Sequence, residues 1–348
     1  MISVILAGGK GVRLWPESRS FRPKQLCQLV DNKSMLEHTI DRIKAAGAKK
    51  IVILTNDNLI KPIVEIVKAH PYEDNIELLS EPDNKNTASA VGLILSHYHI
   101  KNKNDIIGIF PADHHVLHLD KFSETLKKAY QAAEEGYLIT IGITPDHPET
   151  GFGYIEKTKW EVGQIPDVYQ VSSFYEKPDL KTAEVYIKSK NHMWNSGIYI
   201  GKVKTFLEEF ALNLPEIYEK IIKGPEFYIS SYSELPDISI DHGIAEKSTR
   251  LAVVPADFGW CDLGSWNALE KLHPKDQFAN IAIGSDVLFL DAQNCITRQT
   301  DKTLVLYGVD NLLVVETEDI IFITKRDKCQ DMREITNKLQ TLGRYDLL

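Results

Sequence analysis

The chain is poor in cysteine, and its four cysteines do not pair up in sequence. Cys27, Cys261, Cys295 and Cys329 stand far apart, with no C-x-x-C among them. That pattern argues for free thiols in a reducing cytoplasm. No apolar run is long enough to span a bilayer, so no membrane partner is expected. No charged n-region precedes a long apolar stretch, so a secretory leader is not expected either. Positive charge is not in excess. The 40 Lys and Arg are outnumbered by 49 Asp and Glu, for a net charge of −9. A general nucleic-acid binder is thereby disfavoured, although a local basic pocket is not. Exact repeats and low-complexity segments are also missing.

What remains is an ordinary soluble composition and enough chain, 348 residues, for a substantial core. The first part alternates strand and helix patterns. Short runs rich in Ile and Val at 3–7, 51–55, 76–80, 106–111 and 138–143 read as strands covered on both faces. A helix is expected over 34–46, where Ser34 and Glu37 have capping-box spacing and Gly47 follows as a stop. Further helices are expected from about Thr87 and over 122–135, ahead of Gly136. Such alternation implies βαβ units and a mostly parallel sheet, with ligands at the carboxyl ends of its strands.

Beyond residue 151 the alternation loosens. GFGYIEK (151–157) and SSFYEKP (172–178) read as strands ending at loops. Helical stretches follow over 203–223 and 240–247. HPKDQF (273–278) reads as a linker, followed by the β-rich runs VLFLD, TLVLYG, LLVVET and IIFITK and a closing helix over 328–342. The expected division is therefore 1–273 and 274–348.

The first strand runs into LAGGKGVRLWPESRSFRPKQ (6–25). Glycines after a strand let backbone N–H groups approach an anion. The dinucleotide fingerprint fails, because its third glycine falls on Leu14. The phosphate loop of ATPases fails too, because Gly9-Lys10 is followed by Gly11 and Val4 stands where its first glycine should be. The first failure also removes an NAD-dependent dehydrogenase. Yet Arg13, Arg19, Arg22 and Lys24 crowd beside the turn, and Pro16 and Pro23 stiffen it. This suits a triphosphate whose charge must be held during transfer.

GGKGVRLWP followed by PKQ resembles the signature of the sugar-1-phosphate nucleotidylyltransferases. Trp15 and Gln25 are similar to the branch that joins guanylate to mannose 1-phosphate. The likeness recurs in family order in EPDNKNTASAV (81–91), FPADHHV (110–116), GFGYIE, FYEKP, NSGIYIG (195–201), IDHGIAEKS (240–248) and FGWCDLGSW (258–266). It implies an α/β fold with a Rossmann-like, mostly parallel mixed sheet flanked by helices. It also implies a small C-terminal β-rich domain resembling a left-handed β-helix, through which a homodimer is expected.

The resemblance also implies roles. Arg13 and Lys24 would stabilise the leaving pyrophosphate and the transition state, and Lys177 would orient the incoming phosphate. Leu6, Gly8, Gly9, Gly11 and Pro111 would line the nucleotide, with Glu81, Asn86 and Thr87 near the base. Gly153, Glu176, Lys177 and Asn195 would hold the sugar phosphate. Asp113 and Asp262 would hold Mg²⁺, a cation that takes few carboxylates plus phosphate oxygens. Each has a plainer alternative: Thr87 as a helix cap, Asn195 as a turn residue, Glu176 and Lys177 as an exposed strand end. His114, His115 and His118 suggest zinc, but adjacent residues on a strand point apart and the soft ligands are lacking. His114 is left as a contact for the sugar or the metal's water shell.

The expected substrates are GTP and mannose 1-phosphate, and the expected product is GDP-mannose. The alternatives are another base or sugar 1-phosphate, or a non-catalytic sensor of nucleotide sugars. Longer relatives carry a cupin-type isomerase domain. With the sequence ending at Leu348, phosphomannose isomerase activity is not expected.

Overall fold

The computed structural model describes residues 1–9 and 11–348; Lys10 and the side chain of Val12 lie outside the described residues. The chain gathers into two compact units. The first comprises Met1–Gly8, Thr39–Ala112 and Val116–Trp260, and the second Gly9–His38, Asp113–His115 and Cys261–Leu348. Neither is continuous in sequence.

The strands up to residue 261 are β1 (Ile2–Leu6), β2 (Lys50–Asn56), β3 (Ile76–Glu81), β4 (Ile106–Pro111), β5 (His115–Val116), β6 (Leu138–Ile143), β7 (Gly153–Glu161), β8 (Tyr169–Glu176), β9 (His192–Lys202), β10 (Leu251–Ala256) and β11 (Trp260–Cys261). β5 and β11 form a short ribbon of their own. The other nine make one sheet in the order β3-β2-β1-β4-β9-β6-β10-β8-β7. β3, β2, β1 and β4 are parallel, so their carboxyl ends share one edge. β9 runs antiparallel between β4 and β6, and β10 is parallel to β6. β8 and β7 add an antiparallel end. All five strands expected from apolar runs are present within one residue of their expected bounds. β6 is buried along its whole length, as strands covered on both faces require.

The helices are α1 (Met35–Ala45), α2 (Ile60–Ala69), α3 (Asn86–Tyr98), α4 (Leu119–Glu134), α5 (Leu180–Ser189), α6 (Val203–Asn213), α7 (Pro215–Ile221) and α8 (Pro225–Ser230). The capping box of α1 closes in both directions. Ser34 donates from its main-chain N and its Oγ to Glu37 Oε2, at 2.7 and 2.6 Å, and Glu37 N donates back to Ser34 Oγ at 3.2 Å. α3 is apolar almost all round because α6, α7 and α8 also pack on it, and a helix covered on every side has no polar stripe. The helical stretch expected over 240–247 is a π-helical turn, Asp241–Ala245. No helix among the described residues is long and apolar enough to cross a membrane.

In the second unit β12 (Ile281–Ile283), β14 (Ile296–Arg298) and β16 (Leu312–Glu316) stack in parallel, and β17 (Ile321–Lys325) closes antiparallel. Between them β13 (Val287–Leu290) and β15 (Leu304–Tyr307) form a second parallel pair. Successive coils lying over one another give the region its β-helix-like character. A closing helix, α9 (Met332–Thr341), follows. Leu14, Cys27, Leu29 and Met35 from the first forty residues share one buried core with Trp266, Ile281, Ile296, Leu313 and Met332. The glycine- and arginine-bearing loop is thus built on the C-terminal strands. The whole is an α/β protein with a β-helix-like C-terminal part.

Candidate active site

Within the second unit the loop is held at both ends of its turn. Gln25 Nε2 donates to the Gly9 carbonyl at 2.9 Å. Gly11 has φ +52°, and a Cβ there would lie 2.7 Å from Lys24 Cβ, so only glycine lets the chain fold back on Lys24. The cations crowded in the loop then separate in role. Arg19 is buried, with Nε donating to the Pro16 carbonyl and Nη2 to Asp319, both at 2.8 Å. Arg22 faces Glu17 at 3.4 Å. Arg13 is exposed on the 3-10 turn Val12–Leu14 and makes no ion pair among the described residues.

Lys24 is 7% exposed. Its ammonium donates to Asp113 Oδ2 at 2.7 Å and to the Asp262 carbonyl oxygen. Two residues 149 positions apart in sequence, Asp113 and Asp262, therefore meet on one cation. Burial alone would raise the Asp113 carboxyl. The Lys24 and His114 charges outweigh that and hold it down to about 2. Asp262 Oδ1 accepts the Gly264 N–H at 3.1 Å. His114 Nε2 lies 3.9 Å from Asp113 Oδ1. His115 instead turns its ring edge to His38, and His118 is exposed. Among the described residues no three His, Cys, Asp or Glu side chains form an all-protein metal cage.

Within the first unit the carboxyl edge of the parallel strands carries a second arrangement. Leu6 pairs with Leu54 and Pro111, and its carbonyl accepts the Ala112 N–H. Pro111 O in turn accepts from Arg42 Nη2 at 3.2 Å. The Gly8 carbonyl accepts from Asn56 Nδ2 at 3.1 Å, and a Cβ on Gly8 would come within 2.3 Å of Glu81 Oε1. The Glu81 carboxylate therefore rests against Gly8. It is 5% exposed, and Tyr232 Oη donates to its Oε2 at 2.7 Å. Burial raises its pKa to about 6, against the opposing effect of the Tyr232 bond. Asn86 and Thr87 open α3. Asn86 Oδ1 accepts the Thr87 N–H at 2.9 Å, and Thr87 Oγ1 accepts the Ile240 N–H at 2.8 Å. Thr87 thus ties the helix start to the segment before the π-helical turn.

The residues expected to hold a sugar phosphate fall into two groups. Gly153 pairs with Glu176 across β7 and β8, and a Cβ on Gly153 would lie 2.5 Å from Glu176 Oε2. Lys177, at φ +50°, is exposed and donates from Nζ to Glu176 Oε1 at 2.7 Å. Burial raises the Glu176 pKa, opposed by the Lys177 bond, and Asp241 raises it further. Asn195 is committed within the protein. Its Oδ1 accepts from Thr140 Oγ1 at 2.8 Å and from the Gly197 N–H at 3.3 Å. Its Nδ2 donates to Asp241 Oδ1 at 2.8 Å and to Tyr199 Oη at 3.1 Å. Reading a sugar hydroxyl would cost Asn195 one of these four bonds.

Sequence reasoning missed Tyr232, Tyr199, Asp241 and Glu246. Asp241 orients Asn195 and accepts from Tyr199 Oη at 2.7 Å. Glu246 Oε1 accepts the Glu176 N–H at 3.1 Å. IDHGIAEKS carried a signal for Asp241 and Glu246. NSGIYIG contains Tyr199 as well, though nothing in it pointed to a partner for the hydroxyl, and nothing local marked Tyr232, which lies outside every such stretch.

Comparison with known proteins adds a second line of observation. The nucleotidyl transferase family model matches residues 2–278, and the model described as a MannoseP isomerase/GMP-like beta-helix domain matches 285–339. The mannose-1-phosphate guanylyltransferase of Escherichia coli is 35% identical, over 99% of this chain and 77% of that protein. Its Klebsiella pneumoniae namesake is 33% identical, over 98% of this chain and 74% of that one. Among solved structures, a Thermus thermophilus protein described as a mannose-1-phosphate geranyltransferase aligns with a TM-score of 0.88 at 32% identity. That alignment covers 97% of this chain and 98% of the other.

Proposed function

The chain belongs to the nucleotidyl transferase family, among the mannose-1-phosphate guanylyltransferases, and on that footing we propose that it transfers GMP from GTP to α-D-mannose 1-phosphate. A phosphate oxygen of the sugar attacks the α-phosphorus of GTP in line. The bond from that phosphorus to the bridging oxygen breaks, pyrophosphate leaves with the electron pair, and GDP-mannose forms. The nucleophile is already an anion, since a phosphate monoester has its second pKa at about 6. No general base is needed. Positioning and charge neutralisation supply the catalysis.

The observation that carries this reading is the Lys24 ammonium held between Asp113 and Asp262, on a loop whose glycines turn back on it. The same residues suit Mg²⁺. Asp113 is ionised at any working pH, and Asp262 supplies hard oxygen, so two protein residues plus phosphate oxygens make a reasonable donor set. Bound there, Mg²⁺ would supply Lewis-acid neutralisation of the phosphates. Lys24 would exchange its carboxylate for a phosphate oxygen. Arg13, exposed and unpaired among the described residues, is free to meet the β- and γ-phosphates. Gly8, Gly9 and Gly11 bring the main chain to the triphosphate, with Glu81, Asn86 and Thr87 toward the base. Gly153, Glu176 and Lys177 serve the sugar phosphate, and Asn195 acts with Asp241.

Four free cysteines suit a cytoplasmic setting. The exposed side chains of Leu288, Leu290, Val305 and Tyr307 on β13 and β15 suit a homodimer through the C-terminal region. Arg13→Ala should cut turnover by about two or more orders of magnitude with the circular dichroism and melting curve unchanged. Near-normal pyrophosphate release from GTP and mannose 1-phosphate by that variant would sink the assignment. Release with UTP or dTTP in preference to GTP would move the enzyme to another branch of the family.

A further inference from the structure

Glu81 is the one residue near the glycine turn whose carboxylate is buried without a cation among the described residues. Tyr232, 151 positions away and 1% exposed, donates to Oε2 at 2.7 Å. Oε1 lies against Gly8, and no donor reaches it among the described residues. A buried carboxylate with an oxygen left open is costly unless a ligand completes it. The open oxygen faces the backbone that leads into the phosphate loop. A carboxylate so placed accepts two N–H groups side by side, and guanine offers such a pair at N1 and its 2-amino group. Adenine offers neither in that place.

We propose that Tyr232 is a positioning residue for base selection: its hydroxyl pins Oε2, turns Oε1 toward the base, and keeps Glu81 an acceptor. The inference rests on the reading of Glu81 as the residue near guanine. Tyr232 is itself held by packing. Its ring sits edge-on to Tyr228 with centroids 5.9 Å apart, and Tyr228 Oη donates to the Ser89 carbonyl at 2.9 Å. The carboxylate is thus braced by a short helical segment, α8 and the 3-10 turn Tyr232–Glu234, far in sequence from any glycine motif. The hydroxyl bond also favours the ionised form. Losing it would let Glu81 protonate at higher pH and turn an acceptor into a donor.

The test compares Tyr232→Phe and Glu81→Gln with the parent chain, using GTP and ITP, which lacks the 2-amino group. For Tyr232→Phe we expect the KM for GTP to rise about tenfold with kcat within about twofold, and the GTP:ITP ratio of kcat/KM to fall about fivefold. Glu81→Gln should lower the same ratio at least as far. A parental ratio in Tyr232→Phe beside a collapsed ratio in Glu81→Gln overturns the role of Tyr232 and leaves Glu81 as base reader. Equal losses for both nucleotides in Tyr232→Phe also overturn it, since a merely structural residue behaves that way. A parental ratio in Glu81→Gln overturns both readings.

Discussion

Asp113 and Glu81 are carboxylates of the two different compact units, and they are tuned in opposite directions. Asp113 sits on the Lys24 ammonium and is held down to about 2. Glu81 has a phenol for a partner and is raised by burial to about 6. The first is charged under all working conditions and is suited to a cation, whether ammonium or metal. The second is poised near the edge of the physiological range and is suited to neutral N–H donors. A cation beside a buried carboxylate offsets its desolvation; a hydroxyl only reduces it. On the proposed function, the contrast would separate a group that manages phosphate charge from one that reads a base.

The strongest way to break this comparison is at Asp113. Asp113→Asn removes the permanent charge, leaves Lys24 without its anion, and should lower turnover by about 10²- to 10³-fold. Pyrophosphate release measured at saturating Mg²⁺ checks it, and a loss of less than about tenfold would remove Asp113 from the charge-managing group. A smaller effect is expected in stability at Glu81. Its folded pKa is raised, so its contribution is fully present below about 4.5 and is lost as pH rises through about 6. Glu81→Gln should therefore be more stable than the parent by up to about 2 kcal/mol at about pH 8, and equal to it near about pH 4.5. Denaturant melts at the two pH values report this. Asp113 has the opposite sign: its contribution is present above the ordinary value of 3.8 and is lost only as pH falls through about 2.

The mildest effect is kinetic. Tyr232, Tyr228 and Asp83 are the titratable groups that bear on Glu81, and both tyrosines are raised by burial, far above neutrality. The KM for GTP should then rise a few-fold as pH drops from about 7.5 to about 5.5 while kcat, referred to saturating GTP, follows other groups. A KM that stays flat across that interval would mean that Glu81 does not meet the base.

Much of this was legible in the sequence where the signals are local. Five apolar runs announce β1 to β4 and β6, and Ser34 with Glu37 announces the start of α1, because both depend on residues a few positions apart. The loop's glycines and Lys24 were legible for the same reason. The pairings that tune the site were not. Tyr232 reaches Glu81 from 151 positions away, and Asp241 reaches Asn195 from 46 positions away. Periodicity is silent about such contacts. The loop's arginines misled in part. Composition shows four cations crowded together, but only packing shows that Arg19 and Arg22 have acidic partners of their own. α2 and α5, β9 and β10 also went unnamed, since their patterns merge with neighbouring segments.

The shared core of Leu14, Leu29, Met35, Ile281, Ile296 and Met332 has a consequence for how such proteins can be recombined. Residues 9–38 and the C-terminal coils are one inheritance, although 222 residues lie between His38 and Cys261. A chimera joined at the linker near Pro274 would graft foreign side chains beneath the very turn that carries Arg13 and Lys24. Exchange of the tail would thus be exchange of the floor under the glycine- and arginine-bearing loop. Substitutions in β12 or β14 that touch no ligand become a route by which catalysis can drift.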